Sequence, residues 1–234
     1  MERVKTVGIV IPTLNEADQI GQVLASIPTS QLGALGYRAV PVVVDGNSVD
    51  GTAEAANQHG AVVLYQEGHG KGRALRQVFR DFQFDYGVVV DGDGTYPVHR
   101  TLEMMAPLSD GADIVLMARV QAEHSGKRRS LNRIGNRILT GFANLVLGTE
   151  YRDLCTGMWG FKARVVRSIE FEADGFDIEA EVFARVAKSG FNVRQLEIPY
   201  LPRRRGSKLR PFRDGFKIYR RILREAFRVT RPIH

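Results

Sequence analysis

VVVDG stands at residues 42–46, in VVVDGNSVDGT, and again at residues 88–92, in VVVDGDGTYP. A run of β-branched residues closed by turn formers predicts a strand buried on both faces, and such strands belong to parallel sheets covered by helices. Each run delivers an aspartate, Asp45 or Asp91, to the carboxyl end of its strand. Ligands of open α/β sheets bind at that edge, so two carboxylates arriving there predict one shared polar site. Glycine after each acid allows a sharp turn and close approach of a ligand to the backbone.

The first half of the chain alternates in the same way. Val7 to Ile11, Val40 to Val44, Ala61 to Tyr65 and Val88 to Val90 read as strands. Helices are expected from Asn15, after Ser48 or Asp50 as a cap, and over Arg73 to Phe82, with GHGKG at 68–72 as a loop. In the second half, Asp113 to Met117 reads as a strand, Ala122 to Ser130 as a polar loop, and Leu131 to Leu147 as a helix. Arg129, Arg133 and Arg137 fall on one face of that helix. FDIEAEVFARVAKSG predicts a helix ending at Gly190, and VRQLEIPY a further strand. The fold class is therefore α/β: a mostly parallel, twisted sheet with helices on both faces, in a single domain.

Composition narrows the partners. At 234 residues the chain suits one sizeable domain, and no segment approaches the roughly 20 apolar residues of a membrane-spanning helix. The N-terminal VGIVIP run lacks a cleavage site, so a cytoplasmic location is expected. The single Cys155 rules out an internal disulfide and reads as a small buried hydrophobe. Of the net charge of +7, residues 200–234 hold twelve Lys or Arg against Asp214 and Glu225, so the remainder is slightly acidic. In that tail Phe216, Tyr219, Ile222, Leu223, Ala226 and Phe227 recur at helical spacing, with Lys217, Arg220, Arg221, Arg224 and Arg228 between them. Such a helix either lies in an anionic membrane interface or packs on the sheet with a solvated basic face. A nucleic-acid module would rest on the charge run alone, without stacking aromatics or a binding motif, and no nucleic acid is expected.

DGDGT at 91–95 places two carboxylates two residues apart at a turn, a spacing that holds a hard divalent cation, Mg²⁺ or Mn²⁺. Three reaction classes use such a strand end. A nicotinamide enzyme needs G-x-G-x-x-G after its first strand, where this chain has Pro12-Thr13-Leu14-Asn15-Glu16. A haloacid-dehalogenase-type phosphatase would use Asp91 as nucleophile and Asp93 as acid, but it needs a later strand ending in paired aspartates. The third class is nucleotide-sugar transfer. Here IPTLNE (11–16), VVVDGNSVDGT (42–52), GHGKGRAL (68–75), DGDGTYP (91–97) and RRRGSKLRPFRDG (203–215) occur in order. Together they resemble family 2 glycosyltransferases of the GT-A fold, in particular the polyprenyl-phosphate glycosyltransferases that include dolichol-phosphate mannose synthases and archaeal dolichol-phosphate hexosyltransferases.

That resemblance implies a catalytic domain over 1–205 and a basic amphipathic segment over 206–234. It implies inverting transfer of a hexose from a nucleoside-diphosphate sugar, GDP-mannose or UDP-glucose, to a polyprenyl (dolichyl) phosphate, on the cytoplasmic face of a membrane. Docking would be by the tail helix itself or through a separate membrane subunit. Pro12, Thr13, Glu16, Asp45 and Lys71 would hold the nucleotide sugar, Lys71 facing water as its alternative. Asp91 and Asp93 would hold the metal on the diphosphate. Arg119, Arg133 and Asn136 would hold the acceptor phosphate, and Arg205, Ser207 and Lys208 would clamp the phosphates. A phosphate acceptor, with a second pKa near 6, needs little help from a base. A sugar hydroxyl acceptor would need one, from Asp153, Glu179 or Glu181.

Overall fold

The computed structural model describes residues 3–120, 127–201 and 208–229. Its seven strands are β1 (Lys5–Thr13), β2 (Tyr37–Asp45), β3 (Val62–Tyr65), β4 (Tyr86–Val90), β5 (Ile114–Val120), β6 (Met158–Lys162) and β7 (Val193–Pro199). They form one sheet in the order β3-β2-β1-β4-β6-β5-β7. All neighbours are parallel except β6, which runs antiparallel to both β4 and β5. The expected α/β architecture is observed, with one strand that periodicity did not signal. β6 has the sequence MWGFK, and its Gly160 leaves room for α5 (Thr101–Ser109): a Cβ there would lie 2.8 Å from Met104 Sδ.

Successive side chains on a strand point to opposite faces, and the sheet divides the core accordingly. Ile9, Ile11, Val43, Val88 and Val90 pack with α1 (Ala17–Ala25), α2 (Thr29–Ala34), α3 (Thr52–Gln58) and α5. Val10, Val42, Val44 and Val89 pack on the other face with α4 (Lys71–Asp81), α6 (Lys127–Leu147), α7 (Ala163–Ser168), α8 (Ile178–Lys188) and α9 (Pro211–Phe227). Lys71 and Gly72 belong to the first turn of α4 and not to a loop, and α6 begins at Lys127, within the stretch expected as a loop. Among the described residues no helix is long and apolar enough to cross a membrane.

The tail helix differs from its sequence reading. α9 buries Ile218, Ile222 and Glu225 against α6 and α8, while Phe216 and Phe227 face outward. Nor is its basic side wholly solvated. Arg221 lies 3.0 Å from Asp177, and Arg224 and Arg228 each lie 2.6 Å from Glu172. At the centre, Arg185 of α8 pairs with Glu181 and, at 3.0 Å, with Glu225, all three buried. Lys188 donates to the Glu225 and Ala226 carbonyls at 2.8 and 3.0 Å, satisfying acceptors left open at the C-terminal end of α9. Periodicity sees apolar spacing but not this acidic partner surface: of the spaced apolar residues Ile222 is buried while Phe216 and Phe227 are exposed, and Ile218 fell outside the stripe.

Removing one member of a buried ion cluster leaves uncompensated charge. Arg185→Met is expected to destabilise the protein by about 3–5 kcal/mol, read as a lower urea midpoint, because Glu181 and Glu225 stay buried without it.

Candidate active site

Strands β1, β2, β4 and β5 point their carboxyl ends at one edge of the sheet. β6 runs the other way, so the segment entering it, Asp153 to Gly157, reaches the same edge. Strand order reverses at β1, with β2 on one side and β4 on the other, and ligands of open α/β sheets bind at such a switch point.

On the β1/β2 side, Thr13 is paired in register with Asp45, and Pro12 with Val44. Thr13 is buried, and its carbonyl accepts from Gly46 N at 2.8 Å. Asp45 accepts from Ser48 N at 2.8 Å through Oδ2, while its Oδ1 is buried with no hydrogen-bond partner. A buried carboxylate oxygen left open is an acceptor prepared for an N–H or O–H donor from outside the chain. The start of α1 is already satisfied: Asn15, Glu16 and Ala17 N–H donate to Ser48 Oγ, Thr52 Oγ1 and Asp50 Oδ2 at 2.8, 2.9 and 3.1 Å. Ser48 and Asp50, expected as caps of α3, thus bind the start of α1, while Asp50 Oδ1 also accepts from Thr52 N at 3.2 Å at the start of α3. Glu16 is buried and pairs with Lys208, which also donates to the Leu14 carbonyl.

At the β4 end, Gly92 lets the DGDG turn lie against β1; a Cβ there would be 2.6 Å from Thr13 Cγ2. Asp93, half-buried, accepts from Thr95 N at 3.1 Å. Asp91 Oδ1 lies 2.5 Å from Lys71 Nζ. Its other oxygen rests on Gly157, where a Cβ would come within 2.1 Å of Oδ2. Lys71 does not face water: it is buried and also lies 2.5 Å from Glu179. Burial alone would lower the lysine's pKa, but Asp91 and Glu179 outweigh it and hold the ammonium well above its usual range.

At the β5 end, Arg119 is bound side-on to buried Asp153, Nε to Oδ2 at 2.6 Å and Nη2 to Oδ1 at 2.8 Å. Nη2 also donates to the Cys155 carbonyl at 2.9 Å. The guanidinium stands 5.3 Å from the Tyr200 ring centroid, a cation–π contact. Burial would raise Asp153, but Arg119, with a further bond from Asn136 Nδ2 at 2.9 Å, holds the carboxyl below its usual range. Asn136 Oδ1 is buried without a partner. Arg133, half-buried, stands on α6 less than one turn before Asn136. Burial pushes the Cys155 thiol up to about 12, which leaves it unreactive.

The site residues inferred from sequence therefore gather on one edge, except that Arg205, Ser207 and the side chain of Arg129 lie outside the described residues, and Arg137 is exposed. Sequence reading left Asp153, Glu179 and Glu181 as bases for a sugar hydroxyl or as structural partners of arginines; the structure pairs Asp153 with Arg119 and Glu181 with Arg185, while Glu179 takes Lys71. Tyr96, whose hydroxyl accepts from Gly157 N at 2.6 Å, and Gly157 itself were missed; the glycine in DLCTG was the available signal. Glu181 points away, accepting from Ala173 N at 2.7 Å within the α8–α9 ion cluster. Among the described residues no three His, Cys, Asp or Glu converge as a metal cage. A pair of carboxylates still fits a hard ion that completes its shell from substrate phosphates and water. Among the described residues no later strand ends in paired aspartates, as the phosphatase reading required.

The family model described as glycosyl transferase family 2 matches residues 8–170. Glycosyltransferase AglJ of Haloferax volcanii is 36% identical over 93% of this chain and 71% of its own length. A dolichyl-phosphate hexose transferase of the same organism is 33% identical over 92% of both chains. Among solved structures, glucosyl-3-phosphoglycerate synthase of Mycobacterium tuberculosis, in complex with Mn²⁺, UDP and glucosyl-3-phosphoglycerate, superposes with a TM-score of 0.74 at 22% identity, over 95% of this chain and 80% of that one.

Gly157→Ala puts a methyl group where the Asp91 carboxylate lies. A displacement near 1 Å at a reacting site costs about 10²-fold in rate, so turnover is expected to fall by about that factor with an unchanged melting profile. Parallel rate and calorimetry measurements check it.

Proposed function

This chain belongs to glycosyl transferase family 2, and from that premise we propose that it moves a hexose, with inversion, from a nucleoside-diphosphate sugar to a polyprenyl (dolichyl) phosphate. The observation that carries the acceptor assignment is the double character of α6. One side of the helix supplies Asn136, which shares Asp153 with Arg119, and Arg133 less than one turn before it, while Ile134, Ile138 and Leu145 on the same helix are exposed. Next to it α9 exposes Phe212 and Phe216, and Phe142 of α6 meets Tyr219 of α9 with ring centroids 4.8 Å apart. A phosphate-binding end that continues into an apolar surface matches a lipid phosphate. The likeness to a dolichyl-phosphate hexose transferase over 92% of both chains supports the same acceptor.

Each group then has a task. Asp45, through its open Oδ1, takes a donor hydrogen of the base or ribose, with Pro12, Thr13 and Glu16 walling the nucleotide beside it. Asp91 and Asp93 would hold Mg²⁺ or Mn²⁺, which supplies neutralisation of the leaving diphosphate. The Mn²⁺ and UDP in the mycobacterial synthase complex support that choice. Arg119 has Nη1 free of hydrogen bonds among the described residues, and with Arg133 and Asn136 it positions the acceptor phosphate. Lys208 closes the nucleotide side through Glu16. The acceptor, largely deprotonated at neutral pH, needs no base. Asp153, Glu179 and Glu181 are each held by a cation, which weighs against a sugar hydroxyl as acceptor.

The exposed side of α6 and α9, flanked by Arg137, Lys217 and Arg220, faces the lipid on the cytoplasmic side of the membrane. Substituting Phe212 and Phe216 by Ser is expected to reduce co-flotation with anionic phospholipid vesicles while turnover on a short soluble acceptor stays near wild type.

Label transfer from GDP-mannose and UDP-glucose to a short polyprenyl phosphate tests the reaction. Metal-dependent label in the organic phase is expected from one donor, reduced about 10²- to 10³-fold by Asp93→Ala. Label on soluble sugars with none in lipid would sink the reading.

A further inference from the structure

Lys71 and Glu179 are buried beside the site, and the transfer scheme gives Glu179 no task. Lys71 opens α4 after Gly70, whose φ of 103° and whose packing admit no side chain: a Cβ there would lie 2.2 Å from the Asp174 carbonyl oxygen. A Cβ on Gly72 would lie 2.1 Å from the Ala173 carbonyl oxygen. The backbone on both sides of Lys71 is thus pressed onto the segment leading into α8, whose second residue is Glu179. The ammonium touches Asp91 and Glu179 at 2.5 Å each. The side chains of Lys71 and Glu179 are 8% and 5% exposed, against 27% for Asp91, so only the last meets a ligand.

A lysine held by Asp91 alone would swing on its four-carbon stem towards an arriving diphosphate. Glu179 prevents this, and Gly157 closes the other side of the same carboxylate. Resting on the nucleotide-sugar reading above, we propose that Glu179 is a positioning residue: acting through Lys71, it fixes the Asp91 carboxylate and sets the charge that the donor and its ion meet.

This makes a prediction in signs. Partners one shell removed from an ion shift its affinity or the turnover about 10- to 100-fold when altered. Glu179→Gln removes a negative charge and frees Lys71, so Mn²⁺ binding in the presence of UDP, read by electron paramagnetic resonance of the free ion, is expected to weaken about 10-fold. Lys71→Met removes a positive charge and is expected to tighten it. The double variant returns towards wild type in Mn²⁺ affinity but not in turnover, since the carboxylate is no longer held. All three are expected to lower kcat more than they raise the donor KM. A merely structural pair would shift both single variants in the same direction or leave Mn²⁺ affinity untouched, and either result overturns the proposal while leaving the transfer reaction standing. Wild-type protein that binds neither Mn²⁺ nor UDP overturns both.

Discussion

The site depends on one topological constraint: β6 runs antiparallel between β4 and β5. The chain must therefore enter β6 at the edge where the parallel strands leave their carboxyl ends. Asp153 is carried to Arg119, and Gly157 to Asp91, by that reversal. Were β6 parallel, its glycine and aspartate would lie at the far edge. Both central acids would then lose the surface that orients them.

Three ammonium or guanidinium groups hold the edge together, each drawing on a carboxylate from a different part of the fold. Lys71 joins α4 to β4 and α8, Arg119 joins β5 to the approach to β6, and Lys208 joins the start of α9 to the β1–α1 connection. The Lys71 and Arg119 pairs are of the buried kind, which add little net stability against an apolar replacement yet fix geometry because breaking one leaves a stranded charge, whereas Lys208 is exposed. On the proposed reading the preset charges face reactants that are themselves charged, and electrostatic preorganisation carries the chemistry without a base.

α9 is bound by the same logic on its inner side. Arg185 and Lys188 secure Glu225 and the helix end, so the outward aromatic residues stay presented as a fixed surface instead of closing into a core of their own. Arg133 and Asn136 share α6 with the exposed Ile134, Ile138 and Leu145, and α9 packs against the same helix.

The sequence by itself determined the α/β class, the parallel strands and the sheet edge to which Asp45, Asp91 and Asp93 are delivered. β-branched runs ending in Asp-Gly have few other physical outcomes. Arg119, Arg133 and Asn136 were singled out by the resemblance and not by pattern or spacing. Tertiary structure alone decided that Lys71 serves two carboxylates, that Asp153 restrains Arg119, and that α9 turns Ile218 and Ile222 inward. MWGFK gave no alternation to read, because its glycine and aromatics answer to packing from both faces of the sheet. Local pattern records which residues avoid water. Which charge meets which is set by segments 20 to 108 residues apart, as Asp91 and Glu179 are from Lys71, and no local spacing encodes that.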